Sequence, residues 1–395
     1  MIVVRRPRDE EELAALVREA SGHGAQLAIE GGGTRRGLGR PVNAGITVSV
    51  GALNGITLYE PAEMVIGALA GTPLAEIEAA LAGKGQMLGF EPPDHRRLYG
   101  STGAPTIGAV AAGNLSGSRR LWGGACRDSL IGVRFVNGLG EIVKSGGRVM
   151  KNVTGLDLVK LQAGAWGTLG ALTEVTFKVV PRPEVTRTLV LEGLSEARAI
   201  EVMSVAVGSP FEMTGAAHLP VSAGGMSRTL LRIEGFAFSV TYRAEALAGL
   251  LKPFGVTGSL PESEADTLWR DISDGAVLAE PRDRAIWRLS VKPGAAASAV
   301  ASIRTRREVA AVYDWAGGLI WLATDESDDA GAEVIRKAAR QARGYATLVR
   351  GSEGLRARVA VFEPETAPIA ALNRRIKASF DPEGLINPGK MHAAL

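Results

Sequence analysis

The sequence predicts an α+β protein with two domains followed by a C-terminal segment. Its 395 residues, 46% of them hydrophobic, suffice for two separate cores. In the second half of the chain, strand-like and helix-like runs alternate, which is typical of α+β units. Pro181-Arg182-Pro183 ends a strand-like run and marks a domain boundary. We therefore expect domains over residues 1–183 and 184–350, and a separate segment over residues 351–395.

The N-terminal part of the chain predicts a helix and then two strands joined by a glycine-rich loop. A helix over residues 9–21 has a capping box made by Asp9 and Glu12. Residues 26–30 and 46–50 have the composition and alternation of strands. The loop between them therefore joins a strand to a strand.

The loop reads IEGGGTRRG over residues 29–37, and it fits neither of the two common nucleotide-binding loops. The dinucleotide fingerprint needs a third glycine where Arg36 stands, and a helix directly after it. The Walker loop needs lysine where Leu38 stands. What remains is a backbone nest, in which consecutive glycines turn several N–H groups toward one anion.

The middle of the first domain predicts regular elements around a long loop. A strand over residues 64–71 precedes a helix that begins at Thr72-Pro73, and residues 130–147 form a hairpin with its turn at Asn137-Gly138. Residues 91–128 predict a loop, and loops of this length are usually functional or disordered. Its small residues favour the functional interpretation, because close packing against a flat ligand needs short side chains. A short helix over 156–162 and a strand over 171–180 follow.

The second domain predicts a ferredoxin-like α+β fold in one or two copies, because strand and helix alternate in units of the right size. The predicted strands are residues 188–193, 229–236, 286–291, 309–317, 318–325 and 345–349, and the predicted helices are 196–207, 242–254, 295–305 and 331–343. The C-terminal segment predicts one more helix, whose apolar face carries Ile369, Leu372, Ile376 and Phe380.

Composition excludes several function classes. The net charge of +3 is spread along the chain and aromatics are 5%, so nucleic-acid binding is not expected. Cys126 is the only cysteine, which excludes a disulfide framework and an iron–sulfur cluster held by this chain alone. The four histidines lack metal-ligand spacing, so no metal site is expected. Without a bilayer-length apolar run or a signal-peptide core, the sequence predicts a cytoplasmic protein that meets the inner membrane only through partners.

Four stretches resemble FAD-linked oxidases of the vanillyl-alcohol oxidase family: IEGGGTRRG, TIGAVAAGNLSG, GAWGTLGALTEVTFKVVP and FDPEGLINPGK. The resemblance implies a PCMH-type FAD-binding domain of two α/β subdomains, a ferredoxin-like cap, and a C-terminal segment that returns to the FAD-binding domain. EPPDHRRLYG and the run from residue 117 to 170 resemble more narrowly the smaller, FAD-binding subunit of bacterial glycolate oxidase. Arg127-Asp128 and Val149–Val153 are the features most typical of that subunit.

The resemblance also implies a set of FAD-binding residues. The glycine loop wraps the pyrophosphate, residues 107–117 lie along the dinucleotide and the flavin, residues 167–172 face the adenine and ribose, and residues 387–390 reach the flavin edge. A branched side chain at Gly32 is expected to fill the nest and expel FAD from a folded chain. The predicted contacts are Gly31, Gly32, Gly33, Thr34, Arg35, Thr106, Ile107, Gly108, Gly113, Asn114, Ser116, Gly117, Gly167, Gly170, Leu172, Asn387 and Lys390.

The chain departs from the family pattern in ways that affect its chemistry. Ala109 replaces a glycine and Leu156 an aromatic residue; the Ala109 methyl is tolerated where φ is negative but narrows the flavin channel. No histidine follows the glycine loop and Cys126 lies outside the attachment pattern, so we expect noncovalent FAD. Residues 317–329 lack the histidines that related hydroxy-acid dehydrogenases carry in the cap. No catalytic base is evident, and the catalytic residues are left unassigned.

Several side chains have both a structural and a functional interpretation. Arg35 and Arg36 are either phosphate ligands or solvated charges, and His95 is more readily a surface histidine than a functional one. Cys126 fits a small packed residue better than a redox thiol. Lys151 and Asn152 bind FAD or a partner, or else cap the next helix.

Three functions are compatible with the sequence. The first is an FAD-binding subunit of a glycolate oxidase, working with a larger FAD-binding subunit and an iron–sulfur subunit to convert glycolate to glyoxylate. The second is a self-sufficient dehydrogenase of a small 2-hydroxy acid, with a base such as His218. The third is an assembly subunit without catalysis of its own, which the intact glycine loops disfavour.

Overall fold

A computed structural model describes residues 3–147, 156–220 and 225–393. The run Val149–Val153, with Lys151 and Asn152, lies outside these ranges. Across the described residues, every helix is too short or too polar to span a bilayer.

The first part of the chain contains one small parallel sheet and one larger antiparallel sheet. The parallel sheet has the order β1-β3-β2, the five-stranded sheet has the order β4-β5-β9-β7-β8, and β6 pairs with β10. The predicted connection from strand to strand through the glycine loop is confirmed, because β2 and β3 pair directly. The elements are β1 (Val3–Arg5), α1 (Glu10–Gly22), β2 (Leu27–Glu30), β3 (Ile46–Ser49), β4 (Ile56–Glu60), β5 (Val65–Leu69), α2 (Leu74–Ala82), β6 (Gln86–Met87), α3 (Arg96–Tyr99), α4 (Ile107–Gly113), α5 (Arg120–Gly123), α6 (Cys126–Ser129), β7 (Leu130–Val136), β8 (Ile142–Gly146), α7 (Leu158–Gln162), β9 (Ala171–Lys178) and β10 (Val180–Pro181).

Helix α1 forms where the capping box predicts it. The Asp9 carboxylate accepts a hydrogen bond from the Glu12 amide and caps the first turn. Leu13 and Val17 are fully buried and pack with Leu27 and other residues of the small parallel sheet. This packing holds β2, and with it the start of the glycine loop, against the helix.

Two local predictions in the first part of the chain were wrong in detail. The hairpin exists, but Val136 pairs with Ile142, so its connection has five residues and the positive φ of 70° falls at Gly140. The Asn137 side chain accepts hydrogen bonds from the Leu139 and Glu141 amides and shapes this wider turn. Residues 91–128, predicted as a loop, contain the short helices α3 to α6, and their small residues let α4 pack closely against β5.

The second part of the chain is a duplicated ferredoxin-like fold. Each copy has the order strand, helix, strand, strand, helix, strand, and β12 joins β16 so that all eight strands form one antiparallel sheet, β14-β11-β13-β12-β16-β17-β15-β18. Its elements are β11 (Val185–Glu192), α8 (Glu196–Val207), β12 (Met213–Leu219), β13 (Arg228–Gly235), α9 (Ala237–Leu251), β14 (Gly258–Ser259), α10 (Glu262–Ser273), β15 (Ala285–Ser290), α11 (Ala296–Arg304), β16 (Ala310–Asp314), β17 (Leu319–Thr324), α12 (Ala332–Gln341) and β18 (Tyr345–Arg350).

The C-terminal segment adds α13 (Glu353–Arg358) and α14 (Ala367–Phe380) and then runs back to the first sheet. The apolar face of α14 is only partly covered, since Ile369 and Leu372 are each 49% exposed whereas Phe380 packs against the core of the first part of the chain. Instead Lys377 is buried and donates hydrogen bonds to Asp381 and to the backbone of Thr168 and Ile386. A charged anchor of this kind carries no apolar periodicity, so the pattern could not reveal it.

Candidate functional site

A cavity of about 680 Å³, the first cavity, lies between the glycine loop, α4, the turn before β9, and the C-terminal segment. A volume of this size suits a large cofactor. Ala109 also lines it from helix α4, where its φ is not positive, so the methyl is accommodated. Twelve of the predicted contacts line the first cavity: Gly31, Gly32, Gly33, Thr34, Arg35, Gly108, Gly113, Gly167, Gly170, Leu172, Asn387 and Lys390.

The glycine loop presents free backbone donors to the first cavity. The amides of residues 31–34 donate no hydrogen bond to any described residue. Gly33 has a φ of 71°, which reverses the chain direction within the loop. Backbone N–H groups without a partner are costly unless a ligand or water accepts them, so this loop fits an anion such as a pyrophosphate.

The neighbouring backbone leaves no room for a side chain at Gly32. A Cβ at this position would stand 1.8 Å from the carbonyl oxygen of Ala104, and a Cβ at Gly103 would stand 1.9 Å from the carbonyl oxygen of Gly32. The two segments therefore pack backbone against backbone. The expectation that a side chain at Gly32 would enter the nest and leave the fold intact was wrong, because the side chain would point at residues 103–104.

We expect Gly32→Ala to lower the free energy of unfolding by about 2 kcal/mol or more, even without cofactor, because its methyl group forces the two segments apart. The control is Gly45→Ala, where a Cβ meets no atom within 4 Å. Thermal denaturation of both variants, stripped of flavin, measures the effect. Equal melting temperatures for the two variants would contradict the close packing of the loop.

The first cavity is positively charged. Arg36 is paired with Glu30 through two hydrogen bonds of 2.6 Å at the rim. Arg356 is buried and Lys390 is half-buried, and neither makes an ion pair within the described residues. Burial, with Arg356 nearby, lowers the pKa of Lys390 to about 8, and burial also lowers the pKa of Arg356. The lining has five cationic side chains, Arg35, Arg36, Arg40, Arg356 and Lys390, and two carboxylates, Glu30 and Glu353.

The C-terminal segment closes the first cavity through Asn387. Its side-chain oxygen accepts a hydrogen bond of 2.8 Å from the Ile29 amide at the end of β2. Its side-chain nitrogen donates to the carbonyl oxygens of Trp166 and Gly167. One buried amide thus ties together the strand before the glycine loop and the turn before β9. The sequence-based placement of this tail beside the cavity agrees with the geometry.

Five predicted contacts lie outside the lining. Ile107 belongs to the core, and Thr106 precedes α4 with a buried hydroxyl that has no partner among the described residues. Asn114 and Ser116 accept hydrogen bonds from the Arg127 and Cys126 amides. The fifth residue, Gly117, accepts a hydrogen bond from the Trp315 indole and packs against Ser273. Four of the five are thus engaged in packing or in hydrogen bonds within the chain, whereas the Thr106 hydroxyl, next to Gly31, has no partner among the described residues.

Arg35 and His95 form a buried pair beside the glycine loop. Arg35 donates to the Pro93 carbonyl at 2.6 Å and, from Nε, to Nδ1 of His95 at 3.4 Å. His95 is 4% exposed, so the surface interpretation was wrong. Burial and the nearby arginines hold the pKa of His95 well below its usual value. Because a guanidinium only donates, Nδ1 carries no proton and the neutral ring carries it on Nε2.

His218 lines neither the first cavity nor a second cavity between the first part of the chain and the eight-stranded sheet. It is fully buried in β12, where Nδ1 contacts the Thr229 hydroxyl at 3.0 Å, and burial lowers its pKa to about 4. It therefore cannot reach a substrate bound at those cavities. Cys126 is also fully buried, as the packed interpretation predicts, and burial raises its thiol pKa.

A second cavity, of about 370 Å³, lies between the first part of the chain and the eight-stranded sheet. It is lined by charged residues that the sequence did not single out, because they come from distant parts of the chain and follow no motif. Glu91, Arg232, Glu234 and Arg119 form a continuous network at its floor. Asp274, directly after α10, is 7% exposed. Across the described residues, no group of acidic, histidine and cysteine side chains suits a metal ion.

The first cavity fits FAD on three counts: its free amides, its excess of cationic side chains over carboxylates, and a lining of small residues that admits a flat ring. The pyrophosphate suits the glycine loop together with Lys390 and Arg356. The flat ring suits the surface without bulky side chains that is formed by Gly108, Ala109 and Gly113. The catalytic chemistry that FAD supplies, when bound, is acceptance of a hydride.

Comparisons with known proteins agree with this fit. Residues 1–146 match the family model described as FAD binding domain. Among solved structures, the 4-ethylphenol oxidase of Gulosibacter chungangensis superposes with a TM-score of 0.75 at 15% identity, over 99% of this chain and 89% of that one. An alkyldihydroxyacetonephosphate synthase superposes with a TM-score of 0.68 at 17% identity, over 98% and 76%. These similarities show a shared fold.

Two curated relatives align along nearly the whole chain. Glycolate oxidase subunit GlcD of Bacillus subtilis is 27% identical over 98% of this chain and 88% of its own length. Glycolate oxidase subunit GlcE of Escherichia coli K12 is 33% identical over 385 residues, which is 98% of both chains. Since this end-to-end match joins an FAD-binding domain and a cavity that fits the cofactor, the chain belongs to the GlcE family of FAD-linked oxidoreductases.

Proposed function

We propose that this chain is the FAD-binding subunit of a complex that oxidises glycolate to glyoxylate. The full-length match to glycolate oxidase subunit GlcE carries the proposal. The match to subunit GlcD supports a larger, related FAD-binding partner, because both relatives are named as glycolate oxidase subunits.

In this proposal, electrons pass from this chain to an iron–sulfur partner subunit. The only cysteine, Cys126, is fully buried against α4 and cannot contribute a cluster ligand at the surface. A one-electron acceptor must therefore be supplied by another chain. Contact with the inner membrane is likewise assigned to the partners in this scheme.

The proposed division of labour follows the architecture. Residues 1–183 bind FAD, residues 184–350 form the cap over it, and residues 351–395 return to close the first cavity. The twelve lining residues named above hold the cofactor without a covalent bond, with residues 31–34, Arg356 and Lys390 at the pyrophosphate. The five supporting residues, Thr106, Ile107, Asn114, Ser116 and Gly117, position α4 and the segment after it.

Reconstitution tests the proposal. Glycolate-dependent reduction of an acceptor dye is measured for this chain alone, for its two partner subunits alone, and for the three together. We expect sustained turnover only from the complete set, with loss of turnover when this chain lacks FAD. Full activity of the partners without this chain would overturn the proposal, and full turnover by this chain alone would establish a self-sufficient dehydrogenase instead.

A further inference from the structure

Phe236, Phe238 and Tyr242 form an apolar surface, the α9 surface, at the start of helix α9. They are the three most exposed aromatic side chains in the described part of the chain, at 72%, 89% and 65%. Phe238 and Tyr242 lie one helical turn apart on the same face of α9. Val185 of β11 is also exposed, and it pairs with Gly235 directly before Phe236. The surface therefore continues from the helix onto the end of the sheet.

Helix α9 packs on the face of the eight-stranded sheet that is turned away from the first part of the chain. Val240 and Leu247 of α9 share a core with Ile233 of β13. The preceding residue of β13, Arg232, points to the opposite face and pairs with Glu91 of the first part of the chain. The α9 surface is therefore separated from the first cavity by the sheet and by a helix about 10 Å in diameter.

A buried arginine fixes the backbone that carries the α9 surface. Arg243 donates hydrogen bonds to the backbone carbonyl oxygens of Glu234 at 2.6 Å and of Phe211 at 3.1 Å. It also donates to the Glu212 carboxylate and to the Ser239 hydroxyl. These contacts tie the first two turns of α9 to the end of β13 and to the segment before β12. Because the backbone is already ordered, little conformational entropy is lost when another molecule covers the rings.

The area of the α9 surface is large for a region left in water. A covered aromatic side chain removes about 150–250 Å² from water, so at their present exposure the three rings offer roughly 350–550 Å². Patches of this size on a soluble protein mark contact surfaces for another molecule. The exposure is particular to this place, since Phe236 and Phe238 are the only exposed members of the nine phenylalanines, all of which lie in the described part of the chain.

The charges beside the α9 surface decide which kind of partner fits it. Glu184 and Glu245 are exposed, and neither makes an ion pair with a described residue. The Glu184 carboxylate accepts a hydrogen bond from the Ala237 amide at the start of α9, and Glu245 lies three residues after Tyr242 on the same face. Arg187 of β11 is the nearby cation and is half-buried. The rim of the surface is therefore acidic.

We propose that the α9 surface is the docking site for the larger FAD-binding subunit, an inference that rests on the proposed function and gives this partner a place on the chain. The partner covers the rings with an apolar groove and places lysine or arginine opposite Glu184 and Glu245. A second copy of this chain would bring two acidic rims together, and an anionic membrane would meet the rim with like charge. An iron–sulfur partner receives electrons, so it docks nearer the flavin than the far side of the sheet.

Calorimetric titration of the FAD-loaded chain with the purified larger FAD-binding subunit tests the proposal. A variant carrying Phe238→Ala and Tyr242→Ala should bind roughly thirtyfold more weakly than wild type, because central aromatic side chains dominate the binding energy of an interface. The matched control carries Ile369→Ala and Leu372→Ala, which removes two exposed apolar side chains from α14 and should bind as wild type does. Both variants should retain FAD and the far-UV spectrum of wild type.

Glu245→Lys tests the charge of the rim separately from the rings. It should weaken binding of the larger subunit roughly tenfold at low salt and less at high salt, because salt screens exposed charges. Binding that is unchanged in the double variant, or unchanged or stronger in Glu245→Lys, would overturn the inference.

Two further outcomes would assign the α9 surface to another occupant and would also overturn the inference. In the first, the double variant abolishes dimerisation of this chain while still binding the larger subunit. In the second, it abolishes binding to vesicles of anionic lipid in the same way. If the double variant assembles with both partner subunits and the complex oxidises glycolate as wild type does, the proposed function stands and this inference falls. If wild type binds neither partner subunit, the proposed function falls with it.

Discussion

Replacing Lys390 and Arg356 together by glutamine is expected to strip FAD from the chain. Arg356 is buried and Lys390 is half-buried at the first cavity, and neither has an ion-pair partner among the described residues, so a bound pyrophosphate is their natural counter-ion. Glutamine is polar but shorter, so the variants lose the charge together with the hydrogen bonds that the two side chains donate to the carbonyl oxygens of Leu38 and Gly39. A charge-assisted hydrogen bond contributes about 1.5–3 kcal/mol, so each change should weaken FAD binding roughly 10–100-fold.

The measurement is FAD titration of flavin-free protein, with the far-UV spectrum as a check of the fold. Arg374→Gln, on the exposed face of α14, is the control and should bind FAD as wild type does. Because the pKa of Lys390 is about 8 without a ligand, FAD association with wild type should weaken above pH 8, and Lys390→Gln should remove that dependence. Wild-type affinity in the double variant would show that these cations do not meet the cofactor.

Asp274→Asn is expected to stabilise the fold at alkaline pH. Burial raises the folded-state pKa of Asp274 to about 7 against an ordinary value of 3.8, so the folded protein holds this proton more tightly than the unfolded chain. Stability from the protonated carboxyl group is complete below pH 4 and is lost as pH rises through 7. Three pKa units correspond to about 4 kcal/mol as an upper bound, which asparagine should recover at pH 8.5.

Chemical denaturation at pH 8.5 and at lower pH values measures this gain, which should shrink toward zero as pH approaches 4. The control is Asp283→Asn, whose exposed side chain should leave the free energy of unfolding unchanged at each of these pH values. Equal free energies of unfolding for wild type and Asp274→Asn at pH 8.5 would contradict the prediction. They would show that ionising Asp274 does not destabilise the folded protein. This prediction concerns the folded chain alone.

Local patterns predicted most of the fold but missed two central elements. Six strands and four helices of the second part were predicted from alternation, whereas β12 and α10 were not. Strand β12 reads MTGAAHL and is buried along its whole length, so it lacks the polar alternation of a half-buried strand, and its only large apolar residues, Met213 and Leu219, stand at its two ends. Helix α10 follows a short edge strand and has mostly polar residues, with Trp269 and Ile272 as its buried contacts.

Local sequence patterns likewise predicted some features of the candidate site and missed others. The glycine loop and Asn387 were predicted because consecutive glycines and the tail motif are local features. Arg356 and the second cavity were not, since their meaning arises only when segments far apart in sequence meet. His95 shows the converse, because a histidine between prolines and arginines suggests a surface loop, yet Arg35 and the eight-stranded sheet enclose it. The sequence pattern does not show which side chains are buried by segments that lie far away in the chain.

The most direct test of noncovalent FAD binding in the first cavity is the absorbance spectrum of the chain purified alone, before and after acid precipitation. We expect an oxidised flavin spectrum with about one FAD for each chain. All of this FAD should be released into the acid supernatant, because no covalent bond holds it. A folded chain that is purified without flavin and takes up none when FAD is added would contradict the assignment of the first cavity.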